Sequence, residues 1–411
     1  MNTIRLSLIA TLLPILCPAQ APTAFEDAVM LQAKDLLPPE LLVGTSHRVR
    51  DQVVTDGYMA HFEIDTDFGV FKAVGVPQLK ARIVEAEAMR KLAETSKSDL
   101  FAEGMKRSVT QPIDAAKNIV TKPVESIKKV PSTVGHFFSK VGASIERGAS
   151  KVQNRDGGGG DASATQGSGL SSATGFDKAK LDTARQLGVD PYSDNRRLQD
   201  EMDKVTWAFF AGGLPLRIVA ATASAGVSLA ATKMVGIPEE TYSLTASELA
   251  LRDKQALTAM GVRGEDIEAF QIQPYLSITR RHRIVKSLEA LSGVKGRGRI
   301  ILLANSCDQA AQVDFLVASL AMMAQRQRDG VVRYSELVVL GRLPGVMTAT
   351  GALEVPAPVD HVTWTEQVAT FAQRDDLGTA PRTLIHTGQL SPAATAGFTA
   401  AGWKAVGVTY P

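Results

Sequence analysis

Apolar and polar positions alternate between residues 48 and 75 in three short runs, Arg48 to Val54, Tyr58 to Ile64 and Val70 to Gly75. They are separated by Thr55-Asp56-Gly57 and by Asp65-Thr66-Asp67-Phe68-Gly69. Period-two runs bounded by Asp and Gly turn residues predict a small antiparallel meander. After Pro77 the period changes. Leu79, Ile83, Ala86, Met89 and Ala93 recur at three- and four-residue spacing, with Lys80, Arg82, Glu85 and Glu87 off that stripe, which predicts a helix with one apolar face. A three-stranded sheet with one apolar face needs such a cover, so this stretch reads as a small α+β module.

Residues 109 to 130 repeat one eleven-residue phrase, VTQPIDAAKNI and then VTKPVESIKKV. Each copy has the polarity of a short helix: Thr near the cap, Pro in the first turn, Asp114 or Glu125 beside the positive end, Lys117 or Lys128 towards the other. The apolar stripe continues through Phe138 and Ile145. Between Met105 and Val152 nine basic residues (Lys106, Arg107, Lys117, Lys122, Lys128, Lys129, Lys140, Arg147 and Lys151) face three acids, a local net charge of +6. This reads as a basic amphipathic arm that associates with an anionic lipid surface, an envelope polysaccharide or another polyanion; packing of the stripe on the protein's own helices is the alternative.

From Asn154 to Gly175 four consecutive glycines and a run of small polar residues leave almost nothing to bury, which predicts a flexible linker. Helical periodicity then runs from Asp177 to Ser292. The long apolar stretch from Val205 to Val235 is broken by Gly212-Gly213-Leu214-Pro215 and by Arg217, so it reads as buried in protein, with membrane insertion as the alternative. Arg280, Arg281, His282 and Arg283 form a basic cluster at a helix start, read as ion-pair partners or a solvated helix end, with anion binding as the alternative. The last stretch alternates: strand at Arg299 to Ala304, helix at Gln309 to Gln325, strands at Glu336 to Leu340 and Gly351 to Val355, helix at Thr363 to Gln373, strand at Thr383 to His386, helix at Pro392 to Ala401 and strand at Val406 to Val408. That order predicts an α/β layer with a partly parallel sheet.

The expected fold class is therefore mixed and multi-domain. A signal peptide (1–21) precedes a small α+β N-terminal module (22–104), an amphipathic helical arm (105–153), a flexible linker (154–176), a mainly α-helical central region (177–297) and an α/β C-terminal layer (298–411). The signal rests on Arg5 in a short positive n-region, an apolar h-region from Leu6 to Leu16, and small residues at Ala19 and Ala21, with cleavage expected at 19/20 or 21/22. Export, to a periplasm or beyond, with association to a membrane, is the expected location. Removing the signal leaves Cys307 as the single cysteine, so no internal disulfide can form and stability must come from burial. A chain of 411 residues with 45% hydrophobic content and net charge +2 can bury two or three cores and has no global bias towards nucleic acid.

No strong catalytic, metal or nucleotide motif is present, and no cofactor or nucleic-acid partner is expected. Asp65 and Asp67 are turn residues before they are metal ligands. Cys307, placed before a helix, and His386, ending a strand, together with Ser391 are the candidates for chemistry, because a thiol or hydroxyl beside an imidazole is the minimum for nucleophilic catalysis. The expected function is that of an exported, non-catalytic interaction protein acting through its basic arm. The second reading is an exported hydrolase or transferase that uses Cys307 or Ser391 with His386.

Overall fold

The computed structural model describes residues 25–27, 29–110, 167–218 and 236–409. The expected signal peptide, the arm from 111 to 153 with Lys117, Lys122, Lys128, Lys129, Lys140, Arg147 and Lys151, the linker as far as 166 and the apolar residues 219–235 lie outside the described residues. The chain is mixed α and β, with a curled antiparallel sheet near its start and a second sheet near its end.

The first sheet contains β1 (Met30–Gln32), β2 (Arg48–Val49), β3 (Gln52–Thr55), β4 (Ala60–Thr66) and β5 (Gly69–Val74). β2 and β3 lie along one edge of β4, pairing Arg48 with Asp65 and Thr55 with Ala60, and β5 takes the other edge. The first alternating run is thus one bent strand, carried through the bend by the Arg50 amide, which donates to the Glu63 carbonyl at 2.9 Å. β1 adds antiparallel to β3 and is too short, at three residues, to declare itself by pattern. At the predicted Asp-Gly turn, Asp56 Oδ1 accepts from the amides of Met59 at 2.8 Å and Tyr58 at 3.2 Å, and Gly57 takes a φ of +100°. Two short helices, α1 (Ala33–Leu36) and α2 (Pro39–Leu42), precede β2, and Leu79 and Ile83 of α3 (Val76–Thr95) cover Val53, Phe62 and Ile64.

α3 has a second buried face. Val84, Ala88, Met89 and Leu92 pack with Ala184 and Leu187 of α5 (Gly167–Leu187) and with Leu198, Met202 and Phe209 of α6 (Arg196–Ala211). That second cover also buries residues off the apolar stripe: Glu85 and Glu87 are 2% and 9% exposed, each paired with an arginine of its own helix, Arg82 and Arg90. Between α3 and α5 in sequence, α4 (Asp99–Thr110) packs on α6 so closely that a Cβ on Gly104 would stand 2.6 Å from the Ala208 carbonyl oxygen. Lys106 and Arg107, expected in the arm, therefore sit on a helix docked to the rest of the protein, and Arg107 is paired with Glu103 at 2.8 Å.

The segment expected to be linker is helical over its last ten residues, because α5 begins at Gly167. Its anchor is Phe176, whose ring packs edge-on against Trp207 and Phe210 with centroids 5.8 and 5.9 Å apart. One aromatic at the end of an otherwise small-residue run is enough to hold the last turn down, and composition averages it away.

Five helices share the next core: α7 (Ala246–Ala259), α8 (Gly264–Ile272), α9 (Ile278–Ala290), α10 (Arg297–Asn305) and α11 (Ala310–Arg328). Helix α10 overturns the predicted strand at Arg299 to Ala304. A short apolar run has no period to tell a buried strand from a buried helix; here Gly296, at φ +81°, starts a helix whose Ile300, Ile301, Leu303 and Ala304 are covered by their neighbours.

The second large sheet runs in the order β12-β10-β8-β7-β6: β6 (Tyr334–Leu340), β7 (Leu343–Thr348), β8 (Leu353–Ala357), β10 (Arg382–His386) and β12 (Trp403–Gly407). β8, β10 and β12 are parallel, linked by crossovers through α12 (Glu366–Ala372) and α13 (Pro392–Ala400); β6, β7 and β8 are antiparallel. β7 was hidden by Pro344 and Gly345. Pro344 pairs with Val339 of β6, whereas β8 reaches only Val346 and Met347, so the missing proline N–H costs no ladder bond on that side. Tyr334, Leu337 and Val346 pack with α10 and α11, while Leu353, Val355 and Leu384 pack with Ala369, Ala372 and Phe398 of α12 and α13. Among the described residues no helix is long and apolar enough to cross a membrane.

Candidate functional site

A cleft of about 1040 Å³ opens where the first sheet, the helices and the second sheet meet. One wall is the β4 end and the start of α3, the second is the first turns of α9 and α11, and the floor is formed by the residues that follow β8 and β10. Loops beyond the carboxyl ends of parallel strands are where open α/β sheets place ligands, because the chain leaves the sheet there and backbone groups converge. Short parallel strands β9 (His361–Val362) and β11 (Gln389–Leu390) tie those two loops together, and the Gln389 amide donates to the Asp360 carbonyl at 3.0 Å. At Gly388 a Cβ would stand 2.1 Å from that same carbonyl oxygen, so the approach admits glycine alone.

The walls hold together through carboxylates, one buried and the others partly exposed. Asp360, 8% exposed, accepts from the Ala60 amide at 2.9 Å with one oxygen and from the Val76 amide at 3.0 Å with the other. Burial dominates its titration and raises its pKa, against the pull of those two amides. Its own amide donates to the Tyr58 carbonyl at 3.0 Å, and the Thr363 amide donates to the Gly57 carbonyl at 2.9 Å. On the other wall Asp194 bridges Arg82 of α3 at 2.7 Å and Arg280 of α9 at 3.3 Å, and Arg280 also forks onto Asp314 of α11 at 2.7 and 2.8 Å. Burial alone would push Asp194 up; the two guanidinium groups outweigh it and hold it below the usual carboxylate range.

The basic cluster of the sequence thus divides. Arg280 is an ion-pair partner, Arg281 donates to the Gln271 carbonyl, and His282 is fully buried with Nδ1 at 2.7 Å from Asp253. Arg283 faces the cleft. Beside it Asp190 is recessed, with burial raising its pKa to about 6 against the hydrogen bonds from Thr279 and the Tyr192 amide. The remaining lining is largely apolar, including Met59, Phe315, Phe371 and Phe398.

The raised pKa of Asp190 fixes a sign. The folded protein keeps the proton that the unfolded chain releases near 3.8, so stability declines as pH rises from about 4 through about 6. Asp190→Asn keeps an acceptor for Thr279 and removes the charge. The variant should unfold later than the parent at pH 7, by roughly 1–3 kcal/mol, and the gap should close towards pH 4 in urea titrations at several pH values.

None of Cys307, His386 and Ser391 lines the cleft. Cys307 packs against the helical core, its sulfur 3.5 Å from the Leu303 carbonyl, and burial followed by Asp308 raises its pKa. Nδ1 of His386 lies 2.8 Å from the Gly388 carbonyl. Ser391 caps α13, accepting from the Ala394 amide at 2.9 Å and donating to Glu26 at 2.5 Å. The structure does not join these three residues by any hydrogen bond. Asp65 is held by the Arg50 fork at 2.9 and 3.2 Å, and among the described residues no group of three or more His, Cys, Asp or Glu is placed to hold a metal ion. A pair absent from the sequence reading, His61 and Asp56 at 3.1 Å, stands at the cleft rim. The cleft draws on positions from Leu36 to Phe398, so no local motif announces it; the one signal was the basic cluster that includes Arg283. No protein-family model, curated protein or solved structure matches the chain.

Proposed function

We propose that this chain is an exported, non-catalytic binding protein. Its small α+β module, helical region and α/β layer form the walls of a ligand cleft, and its basic residues 105–153 attach it to an anionic envelope surface. The observation that carries this reading is the placement of a cleft of about 1040 Å³ at the junction of all three parts, beyond the carboxyl ends of β8 and β10, with an apolar lining and a charged end. The hydrolase or transferase reading has less support: Ser391 is engaged by Glu26 and its own helix, and Cys307 is a half-buried thiol whose pKa is raised rather than lowered.

Sedimentation of the full chain with lipid vesicles tests the attachment. Anionic vesicles should carry the protein down at low salt and neutral ones should not, and replacing Lys117, Lys122, Lys128 and Lys129 by Gln should abolish most of that binding. Binding indifferent to those lysines would remove the surface role. Turnover of any cleft ligand that disappears in Cys307→Ser or His386→Gln would move the protein to the enzyme reading.

A further inference from the structure

The polar end of the cleft presents two complementary charges side by side. Thr279 and Arg283 are one turn apart on α9, so their side chains are neighbours on one face. Thr279 donates to Asp190 Oδ1 at 2.6 Å and the Tyr192 amide donates to the same oxygen at 2.9 Å, which leaves Oδ2 without a hydrogen-bond partner among the described residues. The other guanidinium groups of this end are occupied: Arg82 by Glu85 and Asp194, Arg280 by Asp194 and Asp314. Arg283 makes neither a hydrogen bond nor an ion pair among the described residues. Gly236, at φ +95°, lies against it so closely that a Cβ there would stand 2.7 Å from Nη2, which confines the guanidinium on that side.

A simple anion placed on Arg283 would meet Asp190, with Glu85, Asp194 and Asp314 behind it; a simple cation placed on Asp190 would meet Arg283. A group carrying both charges on one carbon satisfies both. We infer that the cleft binds an α-amino acid with a large apolar side chain, its carboxylate on Arg283, its ammonium on Asp190 Oδ2, and its apolar body along Met59, Phe315, Phe371 and Phe398. A guanidinium fork matches a carboxylate with two parallel hydrogen bonds, and an ammonium on a partly desolvated carboxylate gives a charge-assisted bond. The partly exposed side chains of Met59, Phe315 and Phe371, backed by buried Phe398, supply affinity that grows with apolar area and set the preference for a large side chain. The cleft volume, at the upper end of the range for small-molecule sites, leaves space for the side chain to be aromatic.

This inference rests on the cleft being a binding site, and calorimetric titration of the full chain at pH 7.5 separates the two claims. L-Phenylalanine should bind. 3-Phenylpropionate, which lacks the ammonium, and phenethylamine, which lacks the carboxylate, should each bind at least about tenfold more weakly. Arg283→Gln should weaken L-phenylalanine by about tenfold or more and leave phenethylamine unchanged, whereas Asp190→Asn should weaken L-phenylalanine and leave 3-phenylpropionate unchanged while melting no lower than the parent. Circular dichroism melts of both variants confirm folding. Absence of binding by L-phenylalanine, L-leucine and L-tryptophan, equal affinity for 3-phenylpropionate, or variants without effect would overturn the inference. Dodecanoate binding more tightly than any amino acid would overturn it while leaving the cleft as a binding site; failure of every probe, dodecanoate included, would defeat both.

Discussion

Asp360→Ala should be among the most damaging single substitutions in the chain, costing roughly 3–5 kcal/mol and loosening the first sheet from the second. The carboxylate is buried, and each of its oxygens accepts one backbone N–H, from Ala60 on β4 and from Val76 at the start of α3. Truncation leaves both amides without their acceptor, the Ala60 amide at a buried position and the Val76 amide at a partly buried one, and a buried donor without a partner costs its full desolvation. Asp360→Asn should cost about half as much, because an amide offers one acceptor oxygen and turns its NH₂ towards the other N–H. Hydrogen exchange provides the local readout. Peptides covering residues 56–62 and 74–78 should exchange faster in Asp360→Ala, while those covering α7 to α9 should keep their protection. Unchanged exchange at Ala60 and Val76 would show that the backbone bonds from Asp360 to Tyr58 and from Thr363 to Gly57 hold the seam without the carboxylate.

The same seam forms one edge of the cleft, since Tyr58, Met59, Val76 and Asp360 all line it. Loss of Asp360 should therefore reduce ligand affinity at temperatures well below unfolding, through a widened site rather than through a lost ligand contact. Asp190→Asn should raise stability and lower affinity together, which is the pattern expected where a strained, desolvated charge is kept for binding.

How much of this was legible in the sequence differs by element, for physical reasons. The meander and α3 were legible because alternation and Asp-Gly turns are local devices, and the bend between β2 and β3 changes the strand without changing its pattern. The helices from Ala310 to Arg328 and Pro392 to Ala400, and the strand from Arg382 to His386, announced themselves by length and punctuation. Helix α10 was missed because five apolar residues in a row, Ile300 to Ala304, satisfy a buried strand and a buried helix equally, and only the neighbours decide. Glu85 read only as lying off the apolar stripe, because a helix buried on two faces looks, in sequence, like one buried on a single face whenever its second face is stitched by ion pairs. Of the cleft, only the basic cluster that includes Arg283 was legible. The cleft walls come from many short stretches spread between Leu36 and Phe398, and what unites Tyr58, Arg283, Phe315 and Thr387 is the topology of two sheets, which no spacing encodes.

Glu85→Ala should match Asp360→Ala in cost, at roughly 3–5 kcal/mol, while Asp194→Ala, in the same ion-pair network, should cost about 1 kcal/mol or less. The two carboxylates share Arg82, which donates to Glu85 at 2.7 Å and to Asp194 at 2.7 Å, but they differ in surroundings. Glu85 is 2% exposed and also accepts from Asn195 at 2.9 Å and from the Ser193 hydroxyl, so it fastens α3 to the loop between α5 and α6. Asp194 is 42% exposed, where water replaces much of what the carboxylate gives up. Deleting Glu85 leaves a largely buried guanidinium with only the exposed Asp194 and strands the Ser193 and Asn195 side chains; deleting Asp194 leaves Arg82 on Glu85 and Arg280 on Asp314. A double-mutant cycle between Arg82→Ala and Glu85→Ala should return a coupling of about 1–3 kcal/mol, read from urea midpoints at unchanged slope, and the cycle between Arg82→Ala and Asp194→Ala should return a much smaller one. Raising the salt from about 0.1 to 1 M shortens the screening length from roughly 10 to 3 Å, which should erase the second coupling and spare most of the first. Equal couplings in the two cycles would mean that the wall between α3 and α9 is held by the exposed bridge, and the cleft would then widen with ionic strength.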